Sequence, residues 1–192
     1  MAATSKRLVI SSSQSTWPAR FREIAGALRQ LLGEDTTRID HIGSTSVPGL
    51  AVKDVIDIQV TVSELAASDR WPDELLPGLV RRPVTRDHVP AASSTDPADW
   101  DKRYWSGPVG LHVHVRQHGR PNQRYALLFR DYLRHDPVAA GSYESLKRAL
   151  AATVGDDWDA YYAVKDPACD LVIAAAEQWA VRVGWSAPPS DA

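Results

Sequence analysis

Two short runs of alternating residues hold the groups best suited to bind a metal ion. In Val55-Ile56-Asp57-Ile58-Gln59-Val60-Thr61-Val62 the polar Asp57, Gln59 and Thr61 share one side, and the isoleucines and valines 56 to 62 share the other. In Leu111-His112-Val113-His114-Val115 the two histidines alternate with apolar residues in the same way. Period-2 alternation marks a half-buried strand, and neighbours on one strand face stand roughly 6.5–7 Å apart. Asp57 and Gln59 can therefore reach a common ligand. A His-x-His strand can offer two imidazoles to one metal; it can equally be a hydrogen-bonded structural pair. If the two strands lie together, His112 and His114 come up against Asp57 and Gln59.

The residues just before the first run, Gly43-Ser44-Thr45-Ser46, are rich in hydroxyls and backbone N–H donors. A small loop of this kind opening onto a short helix can cradle a phosphate, with Gly43 turning where a side chain would clash. An ordinary turn with Ser/Thr caps fits the same residues.

The elements that must position these groups read as follows. A helix is expected from about Trp17 to Leu32, with Phe21, Ile24, Ala25, Leu28, Leu31 and Leu32 on one stripe. A short edge strand precedes it at Leu8-Val9-Ile10, and Thr37 to Ile42 forms the strand leading into the Gly-Ser loop. Ser63 is placed to cap a helix from Glu64, interrupted at Trp71-Pro72 and resumed over Asp73 to Leu79; Val80 to Val84 is a further strand. Arg86 to Gly110 reads as irregular, a length typical of a lid or binding loop, with Trp100, Tyr104 and Trp105 pinning it or stacking on a ring. Asn122 caps a helix to about His135, Ala139 to Thr153 forms the next, and Trp158 to Val183 the last, kinked or split at Pro167. The sum is an α+β fold: a mixed central sheet of about 4–5 strands flanked by helices, with a helical C-terminal part. The expected layout is a single domain over 1–192: a sheet core at about 8–118, helices at about 122–184 and a frayed tail at 187–192.

Composition bounds the class. The 192 residues carry 44% hydrophobic and 24% charged side chains, ordinary for a globular chain. The net charge of -2 gives no electrostatic reason to expect a nucleic-acid partner. The one cysteine, Cys169, rules out an internal disulfide. It reads as a small core residue, and a reducing, cytoplasmic home is the expectation. No apolar run approaches the ~18 residues of a membrane span, and no signal-peptide block opens the chain.

Beyond these readings, HIGSTSVPGLAVKDVIDI, LHVHV, FRDYLRHDP, YESLK and YYAVK occur in that order, and the chain resembles the GrpB family. The resemblance runs from about Trp17 to Trp179. That family is regarded as related to the nucleotidyltransferases of the polymerase-beta type. The resemblance therefore implies a nucleotidyltransferase-like fold, a Gly-Ser loop holding triphosphate oxygens, and three strand acids binding Mg²⁺. Carried over, Gly43 and Ser44, with Thr45 and Ser46, match the phosphate loop, and Asp57 matches the first acid. Gln59 stands where the second acid belongs, and His112 or His114 replaces the third. Imidazoles with one carboxylate suit Zn²⁺ or Mn²⁺ better than Mg²⁺. Asp54 departs from the proline that often follows the lysine matching Lys53, and it falls on the face opposite Asp57.

Lys53, Arg130, Lys147 and Lys165, with Arg134, sit in the matching motifs and are the candidate phosphate cations. The implied partner is a small phosphorylated molecule or nucleotide. Three activities remain open: nucleotidyl transfer to a small hydroxyl- or amine-bearing acceptor; other metal chemistry, hydrolytic or ligase-like, at His41, Asp57, His112 and His114; or binding of a nucleotide or phosphometabolite without catalysis.

Overall fold

The two alternating runs lie side by side as interior strands of a six-stranded mixed sheet in the computed structural model, which describes residues 10–51, 53–91, 93–107 and 110–192. The strands are β1 (Thr36–Ile42), β2 (Ile56–Val62), β3 (Glu74–Leu76), β4 (Leu79–Arg82), β5 (Arg103–Gly107) and β6 (Leu111–Gln117). Their order across the sheet is β1-β2-β6-β5-β4-β3. β2 and β6 are parallel and every other pair is antiparallel.

In the parallel pair Asp57 stands beside His112 and Gln59 beside His114. Gly110, at the head of β6, lets the strands meet this closely. Its φ is +65°, and a Cβ there would lie 2.3 Å from the Asp54 carbonyl oxygen. Its own carbonyl accepts from Ile56 N at 2.8 Å.

One face of the sheet is apolar. Ile56, Ile58, Val60, Val113 and Val115 are fully buried against helix α1 (Trp17–Leu32), whose stripe of Phe21, Ala25 and Leu28 meets them. His41 belongs to this face, opposite Ile58. It stacks on Phe21 at 4.8 Å and its Nε2 lies 3.1 Å from Thr45 Oγ1. Asp54 also ties to α1, accepting from Trp17 Nε1 at 2.9 Å and Arg20 at 2.7 Å. The other face carries Asp57, His112, His114 and Tyr104. It lies beneath the helical part: α2 (Pro121–His135), α3 (Pro137–Val154) and α4 (Trp158–Val183).

Several expectations change. The sheet has six strands rather than 4–5, because two short strands were hidden. The stretch Asp73–Leu79 is not a resumed helix. Glu74–Leu76 pairs with Leu79–Arg82 as a hairpin turning at Gly78, φ +76°, while Leu65–Arg70 is a short 3-10 helix. The physical reason is burial: Leu75 and Leu79 both sink into the core.

The expected irregular span 86–110 contains β5, with Trp105 wholly buried opposite Val113. Asn122 does not cap α2. Its side chain donates to Asp87 at 3.1 Å and to the Asp101 carbonyl at 2.9 Å. The last helix runs unbroken through Pro167.

The expected frayed tail is docked along the outer edge of β1. Ser190 Oγ donates to the Ile39 carbonyl at 2.8 Å, and Asp191 accepts from His41 N at 2.9 Å and from Arg130 at 2.7 Å. Leu8 and Val9 of the expected edge strand lie outside the described residues.

The buried His41 has a stability consequence. Burial, opposed only in part by Asp57 and Asp191, lowers its pKa from 6.5 to about 4. Between these values the unfolded chain binds a proton that the folded chain refuses, so stability is greatest above 6.5 and falls as pH drops toward about 4. Urea unfolding at pH 7 and pH 5 should show a smaller loss for His41→Phe than for wild type, by about 1–2 kcal/mol. An equal loss in both proteins would mean that His41 titrates normally.

Candidate metal and phosphate site

The register of β2 and β6 converts two sequence patterns into one cluster. Asp57 Oδ1 lies 3.1 Å from His112 Nδ1 and 3.6 Å from His114 Nε2. The three residues offer ligand atoms that all fall within 4.8 Å of one another. Two ligands on a tetrahedral ion with bonds near 2.0–2.1 Å stand about 3.3–3.4 Å apart, so the two spacings from Asp57 fit a shared ion.

The ring of Tyr104, on β5, backs both imidazoles, with centroids 5.6 Å from His112 and 5.0 Å from His114. Burial, helped by Arg116 and Lys102 and opposed by Asp57, lowers the His114 pKa to about 4. Its imidazole is therefore neutral at physiological pH, the form a metal needs. Burial would raise the Asp57 carboxyl, but the hydrogen bonds from His112 and His114 outweigh it and hold the group well below the usual range. The donor set is thus one carboxylate and two imidazoles, suited to Zn²⁺, Mn²⁺ or Fe²⁺.

The Gly-Ser loop is packed against this carboxylate. Gly43 has φ +69° and ψ -174°, a backbone region essentially reserved for glycine. A Cβ there would lie 2.3 Å from Asp57 Oδ2. Ser44, next along, is half-buried and faces the same space. Lys147 reaches it from α3, its Nζ 2.9 Å from Ser44 Oγ.

The cluster floors a cleft with two lobes. The larger, about 590 Å³, is lined by Ser44, Lys53, Lys102, Lys147 and Lys165 as well as the cluster itself. The smaller, about 270 Å³, continues from Asp57 and His114 toward Trp100, Tyr125, Phe129 and Tyr143. At the wide lobe Lys53 lies over the Trp158 ring at 4.5 Å, and Lys165 pairs with Asp166 at 3.3 Å.

Not every candidate converges. Gln59 is fully buried and committed, its Oε1 accepting from Arg116 at 2.7 Å and its Nε2 donating to the Gln123 carbonyl at 3.2 Å. It offers nothing to the cleft. Arg130 is sealed in the core on Asp131, Asp191 and the His41 carbonyl. Arg134 is spent on the Ser46 carbonyl at 2.8 Å.

Thr45 Oγ1 donates to the Val55 carbonyl, and Ser46 Oγ to the Gly43 carbonyl, so both hydroxyls brace the loop. His41 lies on the far face. Of the loop and the cations, Gly43, Ser44, Lys53, Lys147 and Lys165 remain at the site, with Thr45 lining the wide lobe while its hydroxyl braces the loop.

Sequence reading missed Asp87, which stands at both lobes. It accepts from Arg116 Nε at 2.7 Å, Lys102 Nζ at 2.7 Å and Asn122 at 3.1 Å. Burial would raise its carboxyl; Arg116 and Lys102 outweigh this and keep it ionised. The signal for Arg116 was present: His112, His114 and Arg116 follow one another at period two. Nothing local marked Asp87 or Lys102, which come from the loop.

A family model described as GrpB protein matches residues 7–175. A dephospho-CoA kinase of Mycolicibacterium paratuberculosis is 41% identical over 186 residues, covering 88% of this chain and 46% of the relative. A UPF0157 protein of Streptomyces coelicolor is 32% identical over 169 residues, covering 86% of this chain and 80% of the relative. The crystal structure of conserved protein GrpB from Enterococcus faecalis superimposes with a TM-score of 0.71 at 32% identity, over 89% of this chain and 99% of that one. The chain spans about half the length of the dephospho-CoA kinase relatives it matches.

The close approach of Gly43 to Asp57 is open to a direct check. Gly43→Ala should cost about 2 kcal/mol or more in denaturant unfolding, combining backbone strain of about 1–3 kcal/mol with the clash. In an Asp57→Gly background the clash disappears and only the strain should remain. An unchanged cost would place the carboxylate elsewhere.

Proposed function

The chain belongs to the GrpB family, and from that premise we propose that it is a metal-dependent enzyme acting at phosphorus on a small phosphate-bearing substrate, a nucleotide. The reaction proposed is nucleotidyl transfer to a hydroxyl- or amine-bearing acceptor. The observation that carries the proposal is the convergence of Asp57, His112 and His114 on one point of a cleft walled by Ser44, Lys147 and Lys165. A divalent ion held there would stabilise charge on the oxygens around phosphorus.

The residues of the chain do the rest. Lys165 and Lys53 flank the wide lobe and attract the phosphates. Ser44 stands beside Asp57 at the reacting end, and Tyr104 holds the imidazoles in place. The aromatic walls of the narrow lobe suit a ring or an apolar acceptor body and exclude water from it.

The relatives named as kinases support a small-molecule substrate in a general way only. The match spans less than half of each, and this chain contains no G-x-x-x-x-G-K-[ST] run, the loop by which P-loop kinases cradle phosphates. Phosphoryl transfer from ATP in the P-loop manner is therefore not ascribed to it.

A second reading, hydrolysis or another reaction at the same ion, is favoured by one feature. A single carboxylate serves the cluster, and Gln59 is turned away. That set prefers Zn²⁺ or Mn²⁺ to the Mg²⁺ of three-acid sites.

Metal analysis and a thermal-shift panel test the proposal together. Wild type should carry about one Zn²⁺ or Mn²⁺ per chain, with Asp57→Asn and His114→Ala losing it. A nucleoside triphosphate at about 100 times its Kd should add about 2.7 kcal/mol of stability in the presence of metal. Metal-free wild type that no nucleotide stabilises would contradict it.

A further inference from the structure

Ser44 and Lys147 are more than a hydroxyl and a charge at the cleft wall. Lys147 is 3% exposed, and its nitrogen lies over the Tyr143 ring at 4.5 Å and 2.9 Å from Ser44 Oγ. Two neighbouring lysines have carboxylate partners, Lys102 with Asp87 at 2.7 Å and Lys165 with Asp166 at 3.3 Å. Among the described residues no carboxylate lies within 4.0 Å of Lys147 Nζ. A buried amine without a counter-ion, held on a serine hydroxyl, has the geometry of a nucleophile and its base, which belong within about 2.6–3.2 Å of each other. Serine–lysine pairs are a known variant of this arrangement.

We propose that Ser44 is a nucleophile and Lys147 its general base. The inference rests on the phosphorus chemistry proposed above and adds a covalent stage to it. A lone pair of Ser44 Oγ forms a bond to phosphorus while the Oγ proton passes to the Lys147 amine, which becomes an ammonium. The bond from phosphorus to the leaving oxygen breaks, and its electron pair departs with that oxygen. In the second stage the acceptor oxygen bonds to the same phosphorus and sheds its proton to solvent. The Ser44 oxygen leaves and recovers its proton from Lys147.

The electrostatics agree with this geometry. Burial, then Lys165 on α4, lowers the Lys147 pKa to about 7, against Cys169 on α4, Glu144 on α3 and Asp57 on β2. The amine is therefore available as a base near neutral pH, whereas an ordinary lysine is not.

The test needs no knowledge of the substrate. The 192-residue chain is treated with an alkyl fluorophosphonate, and labelled peptides are identified by mass spectrometry. Here Ser44 Oγ bonds to phosphorus, fluoride leaves with the P–F pair, and the proton goes to Lys147. Wild type should take one label, at Ser44, at a rate that rises through about pH 7 and levels off. Ser44→Ala should lose it, and Lys147→Arg, which keeps the charge but cannot act as a base, should slow it at least tenfold.

Folded wild type with no label at Ser44, a rate that does not rise through neutral pH, or equal labelling of Lys147→Arg would overturn the proposal. The wild-type label and its pH profile decide the matter even if a variant fails to fold. Metal content and nucleotide stabilisation measured on the same samples separate the two readings. If both are retained without a label, the dyad alone fails. A label at Ser44 without either would retain the dyad and sink the metal reading.

Discussion

The parallel pairing of β2 with β6 is the constraint from which the site follows. One register places Asp57 beside His112 and Gln59 beside His114. A slip of one residue would turn the imidazoles into the apolar face and lift valines into the cleft. The register is held in two ways: Ile56, Ile58, Val113 and Val115 are sealed in the core shared with α1, and Gly110 permits a backbone approach to Asp54 that no other residue allows. Burying this apolar face both stabilises the sheet and aims the polar face, so packing and function share one cause.

Around that pair the fold distributes charge unevenly. Asp57 is ionised beside a neutral imidazole, Asp87 is saturated by Arg116 and Lys102, and among the described residues Lys147 has no carboxylate within ion-pair distance. Burying an ammonium is costly without an anion beside it, and a phosphate or a proton loss relieves it. The cleft is in this sense poised for an anion on one side and a cation on the other. The two sites adjoin because Gly43 packs directly on the Asp57 carboxylate.

Much of this was legible in the chain. Period-2 alternation identified β2 and β6 and their polar faces, the Gly-Ser loop was readable from its small residues, and α1 and the three C-terminal helices from their apolar stripes and the breakers between them. What the sequence hid depended on tertiary contacts. β3 is only three residues long, and Leu75 and Leu79 fit a helix stripe as well as a hairpin until the core claims them; its partner β4 was readable, one residue out, as the strand expected at Val80 to Val84. β5 was masked by flanking polar residues, although Trp105 is among the most buried side chains. Gln59 looked like a ligand because alternation gives the face, not the partner; Arg116, two residues past His114, captures it. Arg130 and Arg134 looked like phosphate cations because a motif reveals charge and not direction, and both are bound to carbonyls and carboxylates of the body. Asp87 came from a loop with no pattern of its own.

The most direct measurement is a crystal of the protein grown with Zn²⁺ or Mn²⁺ and read by anomalous scattering at the metal edge. One peak should lie about 2.0–2.2 Å from a carboxylate oxygen of Asp57 and from one nitrogen each of His112 and His114. A peak elsewhere, or none with His112 still hydrogen-bonded to Asp57, would show that the convergence of these three side chains is structural and not a metal centre.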